Sequence, residues 1–304
     1  MMFSSHTGLH VHLHRFLLLC SAGLLLVFGA CSGPRSVPAA DDAANPLPQD
    51  AVQLEALAWA HGFNRITDLH ATASGQVYVV DAGRHHVIRL GENGVRIDST
   101  GGRGTRPNQF DRPTHVYASN DLQIFVSDSG NRRIVQFDRH WQHLGYLDIP
   151  SVSYTPGALT QTMLAELVFW DERSSGLMKT RADFSADPLF RPDVSAITGT
   201  VVALQHLGRT MWVAEERGVL HRYAPGGGYL GFLAGYGPVM DAAAGGDNLF
   251  LLRNDGKVLR LSTSGAVEHV LQLDVPGRLQ ALTWQNGYLI VADAATMYRV
   301  ALPE

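Results

Sequence analysis

Ile124-Phe-Val-Ser-Asp128, the polar turn Ser129-Gly-Asn-Arg-Arg133 and the answering strand Ile134-Val-Gln-Phe137 decide the fold, because this rhythm recurs along the 304-residue chain. The other copies are Val77-Tyr-Val-Val-Asp81 with Val87-Ile-Arg-Leu90, Leu167-Val-Phe-Trp-Asp171 with Leu177-Met-Lys-Thr180, and Met211-Trp-Val-Ala-Glu215 with Val219-Leu-His-Arg-Tyr223. Leu249-Phe-Leu-Leu-Arg253 with Val258-Leu-Arg-Leu261, and Tyr288-Leu-Ile-Val-Ala-Asp293 with Met297-Tyr-Arg-Val300, complete the set. The residue closing each first strand recurs at 81, 128, 171, 215, 253 and 293, in steps of 47, 43, 44, 38 and 40. Apolar strand pairs at that period predict an all-β protein, a six-bladed β-propeller with four antiparallel strands per blade.

The missing strands flank each pair. Ile66–Ala71, His115–Ala118, Val201–Leu204, Val239–Ala243 and Leu279–Thr283 are candidate inner strands; Val95–Thr100, Leu144–Leu147, Tyr229–Leu233 and Val267–Leu271 are candidate outer ones. Strands covered on both faces read as continuous apolar runs, whereas an outer strand alternates because one side meets water. In the third unit, Leu159–Val168 reads either as a strand or as the start of a helical turn. The last unit lacks an outer strand and the segment Val52–Ala58 is spare, so the N-terminal strand is expected to complete the last blade and hide its open edge.

Ahead of this domain, expected over residues 51–304, Phe16–Ala30 is a 15-residue run without charge. As a helix it would cover only about 22 Å of a hydrocarbon layer about 30 Å thick, so residues 1–30 read as an export signal rather than a membrane span. Residues 31–50, rich in Pro, Ala and small polar residues, are too poor in apolar surface to order themselves and read as a disordered tether.

Val27-Phe-Gly-Ala-Cys31 resembles the lipobox of bacterial lipoproteins, with Phe28 where an aliphatic residue is commoner. The resemblance implies acylation of Cys31, anchoring to the lipid bilayer and a place in the cell envelope. Ser32 after the cysteine points, within that family, to the outer membrane. Cutting after Ala30 removes one Arg, leaving 23 basic residues against 28 acidic ones. The linear sequence contains no basic stripe, so no nucleic-acid partner is expected. Cys20 falls in the discarded segment, so no disulfide is expected and the core must hold a monomeric domain alone.

The run Gly101–Val116 followed by Ile124–Asp138 resembles an NHL repeat nearly position for position, and Val79–Leu90 is a looser copy. Some NHL-like propellers are enzymes, including lyases that hold zinc through His and lactone-opening enzymes that use carboxylates and amides on a divalent ion. Counting back 13 from each turn residue gives Asp68, His115, Ala158, Val202, Met240 beside Asp241, and Gln280, of which Asp68, His115, Asp241 and Gln280 are weak candidates for a metal site at the channel mouth. Polar residues lining a wet channel are the plainer reading, and neither a cofactor nor a catalytic residue is assigned. The Asp at each strand end reads as a turn-capping carboxylate. Arg84, His85, His86, Arg132 and Arg133 read as a solvated loop face, and Trp141 as the one exposed aromatic suited to contact a partner. The expected function is a non-catalytic envelope platform for a protein or glycan; the alternative is a metal-dependent hydrolase or lyase.

Overall fold

The computed structural model describes residues 47–48, 50–119, 122–147 and 153–303; the expected signal peptide, Cys31 and nearly all of the tether lie outside this set. The described residues are all-β apart from one 3-10 turn at Ser129–Asn131. The chain opens with β1 (Ala51–His61). Next come β2 (Ile66–Ala71), β3 (Val77–Asp81), β4 (His86–Leu90) and β5 (Arg96–Gly101), then β6 (Pro113–Ser119), β7 (Gln123–Asp128), β8 (Arg133–Asp138) and β9 (His143–Tyr146). A shorter group follows: β10 (Pro156–Gln161), β11 (Leu167–Asp171) and β12 (Gly176–Lys179). After it lie β13 (Val201–Leu207), β14 (Thr210–Glu215), β15 (Leu220–Tyr223) and β16 (Tyr229–Leu233). The chain ends with β17 (Val239–Gly245), β18 (Asn248–Arg253), β19 (Lys257–Leu261), β20 (Val267–Asp274), β21 (Ala281–Gln285), β22 (Tyr288–Ala292) and β23 (Thr296–Ala301).

Each group is an antiparallel meander whose first strand lies innermost. Successive innermost strands lie side by side, β2 against β6, then β10, β13, β17 and β21, which returns to β2. This is a propeller arrangement. Its second strands are the apolar runs read from the sequence: β3 and β11 are buried along their whole length because neighbouring sheets cover both faces. Each fully buried Val, Leu or Phe contributes about 1.5–3 kcal/mol of burial free energy. Alternating residues of one strand feed different clusters: Val77 and Val79 join one, Tyr78 and Val80 the next.

Two features depart from four antiparallel strands in every unit. The third sheet has three strands, joined only by an isolated bridge from Thr180 to Ala186. The linker beyond β12 contains Pro188 and Pro192, which cannot donate to a ladder. Leu159–Gln161 are strand residues, so the helical-turn alternative is not realised. The second departure is β1, long enough to serve two partners. Ala51–Glu55 pair in parallel with β20, and Ala56–His61 pair antiparallel with β23, fusing the last two meanders into an eight-stranded sheet.

The carboxylates at the strand ends act as clamps. Asp81, fully buried, accepts from the backbone N–H groups of Asn64, Arg65 and Arg84 and pairs with the Arg84 guanidinium at 2.9 Å. Asp128 accepts from Asp111 N–H, Asp171 from Thr155 N–H and Glu215 from Thr198 N–H. Each thus ties the loop entering an inner strand to the end of the second strand. Burial acts to raise the Asp81 pKa, but these donors outweigh it and hold the carboxyl below its ordinary value.

Trp141 is not a free contact residue. Its ring packs edge-on against Tyr78 and Phe137, and its Nε1 donates to Asp98 Oδ1 at 2.7 Å, knitting β5 to the β8–β9 turn. Gly218, between β14 and β15, has φ +80°, and a Cβ there would overlap the Gly237 backbone carbonyl. Gly218→Ala is therefore expected to cost about 2–4 kcal/mol, because the left-handed φ strains any side chain and the overlapping atoms are backbone, which cannot rotate aside. A thermal melt checks this, with a fall on the order of 10 °C expected.

Candidate functional site

The innermost strands bring chemistry to the axis of the ring. Asp68, His115 and Asp241 line one cavity of about 30 Å³ together with His70, Tyr117 and Gln205. Strand geometry explains two of the second three: side chains two apart on a strand share a face, so His70 follows Asp68 and Tyr117 follows His115. Their rings stack with centroids 4.3 Å apart. That alternation was available in the sequence and would have found both.

Gln280 is not among the lining residues; it precedes β21, where its N–H donates to Ala292 O. The hairpin between β21 and β22 has only two tip residues and β21 pairs without a bulge, so Ala281 holds the register position facing Ala292. Asp68 instead sits beyond a bulge in β2. A one-residue offset turns a strand side chain to the opposite face.

The two carboxylates are already employed in holding the ring together. Asp68 Oδ2 accepts from Val116 N–H at 2.8 Å, joining β2 to β6, and Asp241 Oδ2 accepts from Leu282 N–H at 2.8 Å, joining β17 to β21. Gln205 does the same between β13 and β17, donating to Ala242 O and accepting from Ala244 N–H. Desolvation raises Asp68 to about 7 against these hydrogen bonds. Asp241 is also raised well above its ordinary value, first by desolvation and then by the nearby Asp68 charge. Burial lowers His115 to about 4, so its ring is neutral at physiological pH, and its Nδ1 has no hydrogen-bond partner. Neutral imidazole and carboxylate oxygens are fit ligands for a divalent cation. Yet no three His, Cys, Asp or Glu among the described residues stand close enough together to hold one.

Toward the hairpin tips the axis opens into a second space of about 190 Å³, lined by His70, Thr72, Gln205, Thr283, Trp284 and Asn286 among others, with no carboxylate in its wall. At the opposite end, the loops of the first two meanders lock together. Arg133 pairs with Asp128 at 2.8 Å and donates to the carbonyls of Thr105, Arg106 and Gln109, and Asn131 donates to Gly104 O. Arg84 reaches Gly62 O. These arginines are structural fasteners, more than a solvated face.

No protein-family model matches the chain, and no curated protein sequence matches it. Solved structures do. Virginiamycin B lyase from Staphylococcus aureus is 12% identical, covering 83% of this chain and 89% of its own, with a TM-score of 0.56. A streptogramin B lyase is 15% identical over 83% of this chain and 87% of its own, with a TM-score of 0.59. A nidogen/laminin complex structure gives 15% identity, 72% and 85% coverage and a TM-score of 0.57. At such identity the likeness extends to the backbone alone. It establishes that this chain has a propeller fold, one shared by a lyase and by a protein caught in a binding complex.

Proposed function

We propose that the chain is a six-bladed, NHL-like propeller latched by β1, exported and lipid-anchored through Cys31 at the cell envelope, and that it serves as a non-catalytic platform for a macromolecular partner. The observation that carries this reading is the size of the axial cavity where the carboxylates meet. About 30 Å³ admits one or two waters, whereas small-molecule sites occupy about 300–1,000 Å³. Both carboxylates there already accept backbone N–H bonds that join neighbouring strands. That leaves the rims for recognition, on a scaffold whose loops are clamped by carboxylates at four strand ends.

Cys31→Ala tests the anchor. The variant is expected in the soluble fraction of broken cells while the parent sediments with membranes; a variant that still sediments with membranes and leaves them only in detergent defeats the lipoprotein reading.

A metal-dependent hydrolase or lyase is the second reading. Asp68, Asp241 and His115 line one cavity with ligand types that suit a small cation, and the fold is one that a lyase shares. Elemental analysis of the purified protein separates the two: stoichiometric metal lost in Asp241→Asn supports the enzyme, and metal-free protein supports the platform.

A further inference from the structure

The loops at the Gly62 end of β1 concentrate charge that is dispersed in the linear sequence. Residues 62–65, 81–86, 101–112 and 128–133 contain seven arginines and three carboxylates, in a chain whose net charge is −4. Two of the carboxylates, Asp81 and Asp128, are buried and paired with Arg84 and Arg133. The third, Asp111, lies 3.8 Å from Arg103 and 3.9 Å from His85. Arg65, Arg106, Arg112 and Arg132 remain exposed, and none has an ion-pair partner among the described residues.

These loops form one assembly. Arg133 pins the segment that carries Arg103 and Arg106, Gly130 N–H donates to Asp111 O, and Arg112 N–H donates to His85 Nδ1. His85, Arg112 and Arg132 have φ of 58°, 51° and 55°, left-handed turns that glycine would adopt without strain. Ser175 takes the same conformation at the matching turn of the third meander, so the turn itself fixes the backbone here and holds the two arginines in defined positions.

We propose that this arginine-rich end is the recognition face of the platform and that its partner is an acidic, carboxylate-rich protein segment. The guanidinium fork matches a carboxylate in two parallel hydrogen bonds, and clamped loops lose little entropy on binding. Single-stranded nucleic acids are held by stacking bases on open aromatic faces, and none projects from these loops among the described residues. Tyr146 at the rim has the Arg133 guanidinium over its ring at 4.6 Å. The inference rests on the platform reading and gives it a direction. β1 spans roughly 35 Å from its entry at Ala51 to His61, so the arginine end lies away from the side on which the tether joins.

The test is a fluorescence-anisotropy titration of the full chain in detergent with a labelled deca-glutamate peptide, at 20 and 200 mM salt (on the order of a threefold change in screening length). Binding should weaken with salt. It should fall at least about tenfold in Arg65→Glu/Arg103→Glu/Arg106→Glu and stay unchanged in Arg209→Glu, at an exposed hairpin tip. Should the triple variant fail to fold, Arg132→Asn, whose side chain tolerates the left-handed turn, is expected to weaken binding about threefold. No binding of the peptide, equal binding by the triple variant, or capture of polyphosphate or single-stranded DNA in preference to it would overturn the proposal. Failure of the platform reading itself would appear as metal-dependent turnover, a readout that this titration does not move.

Discussion

Removing residues 47–61 is expected to abolish the folded monomer. Among the described residues, β1 is the only element that covers β20 and β23 together, through ladders running from Ala51 opposite Val270 to His61 opposite Thr296. Val52, Leu54 and Ala56 pack against the cluster holding Leu252, Leu271 and Val300, and Leu47 and Ala51 against the one holding Leu259 and Val270. Deletion would strip both ladders and leave two unpaired edges rich in Val and Leu, the template on which strands of separate molecules pair. The expected loss is on the order of the whole folding free energy of such a domain, about 5–15 kcal/mol. Size-exclusion chromatography should show aggregate in place of monomer. A truncated chain that elutes as a monomer and melts cooperatively near the parent temperature would show that β1 decorates the ring and does not hold it.

The second large effect is a dependence on pH reversed from the usual carboxylate pattern. Asp68 is raised to about 7 in the fold by burial, so the folded protein binds its proton more tightly than the unfolded chain does. Stability from this group is therefore full below about pH 4 and is lost as pH rises toward 7, and Asp241 shifts in the same direction. Asp68→Asn keeps an oxygen to accept from Val116 N–H while removing the titration, and it also relieves Asp241 of a neighbouring charge. At pH 8 the variant should be more stable than the parent by up to about 4 kcal/mol, with the gap closing toward pH 4. Urea unfolding at pH 5 and pH 8 reads this directly. Equal pH slopes for the two proteins would mean that water in the channel solvates Asp68 fully. A divalent cation bound between the carboxylates would reverse the sign, since it favours their ionised forms.

Much of the architecture was legible because it rests on local rules. Strands buried on both faces must be apolar without interruption, so β3, β7 and β11 appeared at nearly their observed limits, and β2 and β16 matched residue for residue. Their period carried the propeller, and the spare strand near Val52 pointed to β1. The parallel half of β1 was not legible, since pairing with β20 depends on how two sheets meet in space. The axial residues show the same boundary. Asp68 and His115 fall on a count of 13 back from the turn residue, whereas in the last two meanders the wall position comes one residue later, at Asp241 beside Met240 and at Ala281 in place of Gln280.

Composition and periodicity alone determined an all-β repeat with clamped turns, since burial dictates which residue types can fill a strand and those choices are written locally. Only the tertiary structure decided where charge accumulates. Arg65, Arg103, Arg112 and Arg132 are spread over 68 residues in a chain with an acid excess, and the 101–112 stretch by itself holds only three arginines against one carboxylate. Ring geometry brings the loops of two neighbouring sheets to one end and neutralises two of their three carboxylates internally. Coulomb energy depends on distance in space, and the chain order does not encode that distance.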